Sequence, residues 1–136
     1  MGIALAQYRC SSKQMKSLRV LIAEDDALIG MLLGEILTGM GHEVCATATT
    51  EAHMVTAATQ FRPDLMIVDA HLGEGSGISA VDEILRRDRI AHLFVSGDPR
   101  SVQALRPDAV VVRKPFHETE LVRAIEIALV AAAAVA

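Results

Sequence analysis

From Leu18 onward the chain alternates two patterns. Short runs are apolar at nearly every position, and longer stretches repeat their apolar residues every three or four positions. The short runs predict strands at Arg19–Ala23, Glu43–Ala46, Leu65–Val68, His92–Val95 and Ala109–Val112. Three of them are apolar almost throughout, as parallel strands covered on both faces are. The longer stretches predict helices. The first runs from Ala27 to Thr38, with Ile29, Leu32, Leu33, Ile36 and Met40 on one side, and Gly39 and Gly41 end it. The second follows a Thr50 cap and carries Ala52, Val55 and Ala58, with Pro63 dividing it from the next strand. The third carries Ile78, Val81, Ile84 and Leu85, and a short fourth lies around Arg100 to Leu105. The last begins near Glu118, where Glu118 and Glu120 suit the positive end of a helix dipole, and it buries Leu121, Ile125 and Ala128 or Leu129. Fraying is the expectation for its alanine-rich end, Ala131 to Ala136.

Five strand–helix units in this order predict an α/β domain over residues 18–136: a parallel sheet with right-handed crossovers and helices on both faces. Residues 1–17 have no clear period and read as a flexible tail, with a short helix as the alternative and Met15 as an alternative start. A chain of 136 residues can bury a core without metal or disulfide staples. With no tryptophan, one tyrosine and three phenylalanines, that core must be aliphatic. Cys10 and Cys45 form no CxxC pair, which fits a reducing compartment, and Cys45 reads as a small buried thiol. His42, His53, His71, His92 and His117 lack zinc-ligand spacing. A net charge of -4 gives no electrostatic reason for direct nucleic-acid binding. No apolar run suits a bilayer span and the N-terminus is a poor signal peptide, so the expected location is cytoplasmic, with no membrane partner.

In sheets of this kind ligands sit outside the carboxyl ends of the strands. The first strand ends in Glu24-Asp25-Asp26, the third in Asp69, the fourth in Ser96-Gly97 and the fifth in Lys114-Pro115-Phe116. Each has an ordinary reading alone: Asp26 as an N-cap, Asp69 as a turn residue, Ser96-Gly97-Asp98-Pro99 as a turn. Together, in order, they gather acids, a hydroxyl and a lysine on one rim. Crowded carboxylates call for a cation, and Mg2+ prefers such hard oxygen ligands. An aspartate is an ionised nucleophile at neutral pH without a general base, so Asp69 can attack phosphorus and form an acyl phosphate. Mg2+ and Lys114 offset the charge, and Ser96 can donate a hydrogen bond to a phosphoryl oxygen.

The segments Val20–Asp26, Leu65–Asp69, Phe94–Gly97 and Val112–Phe116 resemble the receiver domain of two-component response regulators. The likeness covers roughly residues 18 to 130 at family spacing. It implies a flavodoxin-like doubly wound sheet, (βα)5, of strand order 2-1-3-4-5. It implies Asp69 as phosphoacceptor, Glu24 and Asp25 as the acidic pair, and Mg2+, or Mn2+ in its place, as the ion. The His71 carbonyl is then a backbone ligand, Ser96 the switch hydroxyl and Lys114 the phosphate-pairing lysine, with a cis Lys114–Pro115 peptide. Glu24 stands for the commoner aspartate, and Gly73 for the usual proline, which loosens the loop. Val111 occupies a position where an aromatic often reports the switch, so aromatic rotation is not the expected output. His71 and Asp98 are expected to face the attacking water and tune the lifetime of the phosphoryl group, and Gly97 and Val111 are expected as modulators beside Asp98.

The resemblance also implies a histidine kinase or histidine phosphotransfer protein as donor. The sequence has no helix-turn-helix and no hydrolase motif, so the expected output is protein–protein contact or phosphate relay to a downstream protein. A homodimer through the face of the fourth helix, fifth strand and last helix is a further expectation. A phosphoacceptor of this kind has no turnover substrate. A non-phosphorylated pseudo-receiver is the alternative. A haloacid-dehalogenase-type phosphatase needs a second acid where His71 stands, and a nucleotide-binding module lacks a glycine-rich loop after the first strand.

Overall fold

The computed structural model describes residues 16–135. The expected tail at 1–17 falls largely outside the described residues, as does Cys10. Five parallel strands form one sheet: β1 (Arg19–Ala23), β2 (Glu43–Ala48), β3 (Leu65–Asp69), β6 (Ala91–Ser96) and β7 (Val111–Arg113), in the order β2-β1-β3-β6-β7. Counted among sheet strands alone, this is the order 2-1-3-4-5. Between β3 and β6 lies an unforeseen two-stranded hairpin, β4 (His71–Leu72) and β5 (Gly75–Ser76). The helices are α1 (Ala27–Gly39), α2 (Glu51–Phe61), α3 (Gly77–Leu85), α4 (Pro99–Leu105) and α5 (Glu118–Val135).

Alternation along the strands divides the core in two. On one face Val20, Ile22, Leu65, Ile67, Leu93 and Val95 pack with Leu33 and Leu37 of α1 and Leu121 and Ile125 of α5. On the other, Leu21, Met66, Val68 and Phe94 pack with Met54 of α2, Val81 and Ile84 of α3, and Val102 of α4. Because neighbouring strand residues point to opposite faces, a central strand must be apolar at every position, and Leu65 to Val68 are all fully buried.

Local chemistry sets the boundaries. Asp26 caps α1, accepting the Leu28 and Ile29 N–H groups at 2.9 and 3.2 Å. Thr50 caps α2 through the His53 N–H. Arg62 closes α2 with φ 48°, a left-handed conformation usual for glycine. The fifth sheet strand begins at Val111, not Ala109, because the Ala109 N–H closes a turn onto the Arg106 carbonyl. Where fraying was expected, the described part of the alanine run is helical: α5 continues to Val135, as the best helix-forming residue allows. Cys45 is half-buried on edge strand β2. It is the extra residue of a bulge there, since Val20 pairs with Val44 and Leu21 with Ala46. Its thiol points to the Val20 carbonyl at 3.5 Å. No helix among the described residues is long and apolar enough to cross a membrane.

Candidate functional site

The chain leaves β1, crosses outward to β2 and returns to β3 on the other side, so the ends of β1 and β3 border a natural crevice. Glu24 and Asp25 directly follow β1, and Asp69 is the last residue of β3. One carboxylate oxygen from each lies within 4.8 Å of the other two. Lys114, just beyond β7, joins them from across the sheet. Its backbone N–H extends the ladder to the Ser96 carbonyl at 2.9 Å. Its Nζ donates to Glu24 Oε1 at 3.1 Å and to Asp69 Oδ2 at 3.0 Å. The Lys114–Pro115 peptide is cis.

Two of the three acids are unusually dry, while Asp25 is exposed. Glu24 is only 2% exposed and Asp69 7%. Burial, with Asp69 hydrogen-bonded beside it, pushes the Glu24 carboxyl up to about 7, although the Asp26 N–H and Lys114 act against the rise. Burial also works against the Lys114 ammonium, but its hydrogen bonds to Asp69 and Glu24 outweigh that, and its pKa lies above the ordinary lysine value. With all three carboxylates ionised, the one ammonium leaves the cluster two positive charges short of neutrality, a deficit that a divalent cation fills. The donors are all hard oxygens, so the residues fit Mg2+.

The loop after Asp69 is tied to the same carboxylates. The His71 N–H donates to Asp69 Oδ1 at 3.0 Å, and the Gly73 N–H to Asp25 Oδ2 at 2.9 Å. Ser96 ends β6 and is buried, its Oγ accepting the Asp98 N–H at 2.9 Å. The structure thus gathers Glu24, Asp25, Asp69 and Lys114, with Ser96 one sheet position past the Asp69–Val95 pair. His71, Gly97 and Asp98 are exposed on the rim, and Val111 is half-buried at the start of β7.

Gly77, the first residue of α3, is a site residue that sequence reasoning missed. A Cβ there would lie 2.1 Å from the Asp69 carbonyl oxygen and 2.6 Å from Val68 Cγ1. Only glycine lets α3 start against the back of the Asp69 backbone. A glycine directly before a predicted helix was the available signal.

The profile of the response regulator receiver domain matches residues 20–126. This chain belongs to that family. Receiver domains are signalling modules of two-component systems, not turnover enzymes. The receiver is 34% identical to the phyllosphere-induced regulator PhyR of Methylorubrum extorquens, over 81% of this chain and 43% of that protein. It is 31% identical to the chemotaxis protein CheY of Thermotoga maritima, over 79% of this chain and 93% of CheY. It superposes on the receiver domain of Erythrobacter litoralis PhyR with a TM-score of 0.77 at 35% identity, covering 86% and 93% of the two chains. The chain spans less than half of Methylorubrum PhyR. In a further solved structure, PhyR of Bartonella quintana is complexed with the anti-sigma factor NepR; there the TM-score is 0.61 at 35% identity, over 66% of this chain and 38% of that one.

Proposed function

We propose that this receiver is a phosphoryl-accepting switch whose acceptor is Asp69. The observation that carries the reading is the convergence of Glu24, Asp25 and Asp69 within 4.8 Å, with the Lys114 ammonium against Asp69. Glu24, Asp25, Asp69 and the His71 backbone carbonyl would hold Mg2+, with Mn2+ as a substitute. When bound, the ion neutralises charge on the carboxylates and on the incoming phosphoryl oxygens. Asp69 supplies a carboxylate oxygen that attacks phosphorus in line. The new bond is O–P, and the bond from phosphorus to the donor breaks, its electron pair leaving with the donor. Lys114 pairs with the transferred group's negative charge, and the Ser96 hydroxyl turns from Asp98 to donate to a phosphoryl oxygen. His71 and Asp98, exposed on the rim, would face the attacking water and set the lifetime of the acyl phosphate, with Gly97 beside them as a modulator.

Movement of Ser96 and Lys114 would reposition the β6–α4 junction and the surface of α4, β7 and α5. A gain of about 3–5 kcal/mol in differential contacts suffices to shift a mostly inactive population. A protein partner for that surface is in keeping with the NepR complex of Bartonella PhyR. Exposed Leu105, Ile127 and Val130 give these elements apolar area for a homodimer or a downstream protein. On α1, exposed Leu28, Met31 and Leu32 follow directly after the acidic residues, an apolar patch that favours a protein donor, either a histidine kinase or a histidine phosphotransfer protein.

The test is incubation with acetyl phosphate and Mg2+, read by intact mass for wild type and Asp69→Asn. A gain of about 80 Da on wild type alone supports the reading. Equal adducts on both move the acceptor elsewhere, and no adduct on either, with no response to beryllofluoride, favours a pseudo-receiver.

A further inference from the structure

The hairpin β4–β5 includes His71, whose carbonyl is the backbone ligand in the proposed metal site. Its tip residue Gly73 has φ 59°, and Gly75 follows two positions later. Two of its ties to the rest of the protein run through Asp69 and Asp25, the His71 and Gly73 N–H bonds. Those are the carboxylates that a cation would draw on. A third tie is independent of the cluster. Glu51, first residue of α2 and half-buried, accepts the Ser76 N–H through Oε1 at 3.0 Å. The packing is close: a Cβ on Gly75 would come within 2.9 Å of Glu51 Oε1 and 3.1 Å of its Cβ. Hydrogen bonds from the Ser76 N–H and the Ser79 side chain hold the Glu51 carboxyl below the ordinary glutamate range, so it stays an ionised acceptor. Ser76 itself caps α3, its Oγ accepting the Ser79 N–H at 3.2 Å. Glu51 therefore fastens the base of the hairpin and the start of α3 to α2.

We infer that Glu51 is a positioning residue for the metal site, fixing the β4–β5 hairpin so that the His71 carbonyl is held in place while Asp25 and Asp69 turn to the cation. The inference rests on the proposed metal site, and its test separates the two. Glu51→Ala removes the acceptor; Glu51→Gln keeps an oxygen able to accept the same N–H but removes the charge. Amide hydrogen exchange of the full chain without metal reads the tether directly, with β1 and β3 amides as the reference for global stability. Exchange at Ser76 and its hairpin neighbours should quicken about tenfold in Glu51→Ala, the loss expected for one hydrogen bond to a charged acceptor, and distinctly less in Glu51→Gln, which keeps a neutral acceptor. Calorimetric titration with Mg2+ should show affinity several-fold weaker in Glu51→Ala alone. Unchanged exchange in Glu51→Ala overturns the tether. Equal weakening of Mg2+ affinity in both variants overturns the positioning role in favour of simple charge. If wild type binds no Mg2+, the metal reading fails, and the exchange data still decide whether Glu51 fixes the hairpin.

Discussion

Replacing Glu24 with glutamine should stabilise the metal-free protein above neutral pH and leave it nearly unchanged in acid. Glu24 ionises near 4.5 when unfolded and at about 7 when folded. Between those values the folded state binds the proton more tightly, so stability falls as pH rises from 4.5 through 7 and then levels off. The full gap is worth at most about 3 kcal/mol at alkaline pH, and shared screening by Lys114 and nearby solvent cuts it to about 1–2 kcal/mol. Glutamine cannot ionise and, like the protonated acid, offers one good acceptor oxygen, for either Lys114 or the Asp26 N–H, so the variant should recover much of that amount at pH 8. The assay is urea unfolding in EDTA at pH 5 and pH 8. The expected gain at pH 8 corresponds to a midpoint rise of several degrees in a parallel thermal melt. Buried His42 and half-buried His92, both held below the ordinary imidazole range chiefly by desolvation, weaken the fold as pH drops, but they are common to both proteins and cancel in the difference. Saturating Mg2+ should reverse the ranking, because wild type then gains a ligand that the variant lacks. A gain of equal size at pH 5, or none at pH 8, would refute the reasoning.

Gly77→Ala should cost roughly 3 kcal/mol or more, since a backbone oxygen cannot yield to a Cβ 2.1 Å away, and should slow acetyl phosphate labelling in whatever fraction folds. Urea unfolding and intact mass would read both effects. Lys114→Met leaves Glu24 and Asp69 facing each other without an ammonium. It should destabilise the metal-free protein by about 1–3 kcal/mol at pH 8 and much less at pH 5, where Glu24 takes up a proton, with Mg2+ restoring part of the loss. Arg62→Gly should raise stability by about 0.5–1 kcal/mol, because glycine adopts the φ of 48° at the end of α2 without strain; an unchanged urea midpoint would count against it.

The sheet was legible because buried parallel strands must be apolar at every position, and Leu65–Val68 and Leu21–Ala23 have no other economical reading. The caps Asp26 and Thr50 were legible because short polar side chains directly before an apolar helical period have one common use. The start of β7 was not, because Ala109 and Val110 are as apolar as Val111 and only a turn hydrogen bond separates them. The β4–β5 hairpin was not, because two-residue strands are too short to show a period. At the site, the acids and the lysine announced themselves by falling at strand ends. Glu51 and Gly77 did not, because their parts depend on contacts across 25 residues of sequence and on the absence of a side chain.

The skipped residue in β2 bears on how this protein keeps to itself. An outermost strand offers unpaired amides and carbonyls to any extended segment that meets it, and regular spacing is what lets two such rows zip together. Cys45 puts that row out of step partway along. A visiting strand could match the stretch before it or the stretch after it, but not both in one register. Traffic with other proteins is thereby steered toward helices and loops, and an accidental route to stacked, insoluble sheets is narrowed where the domain would otherwise be most open to it.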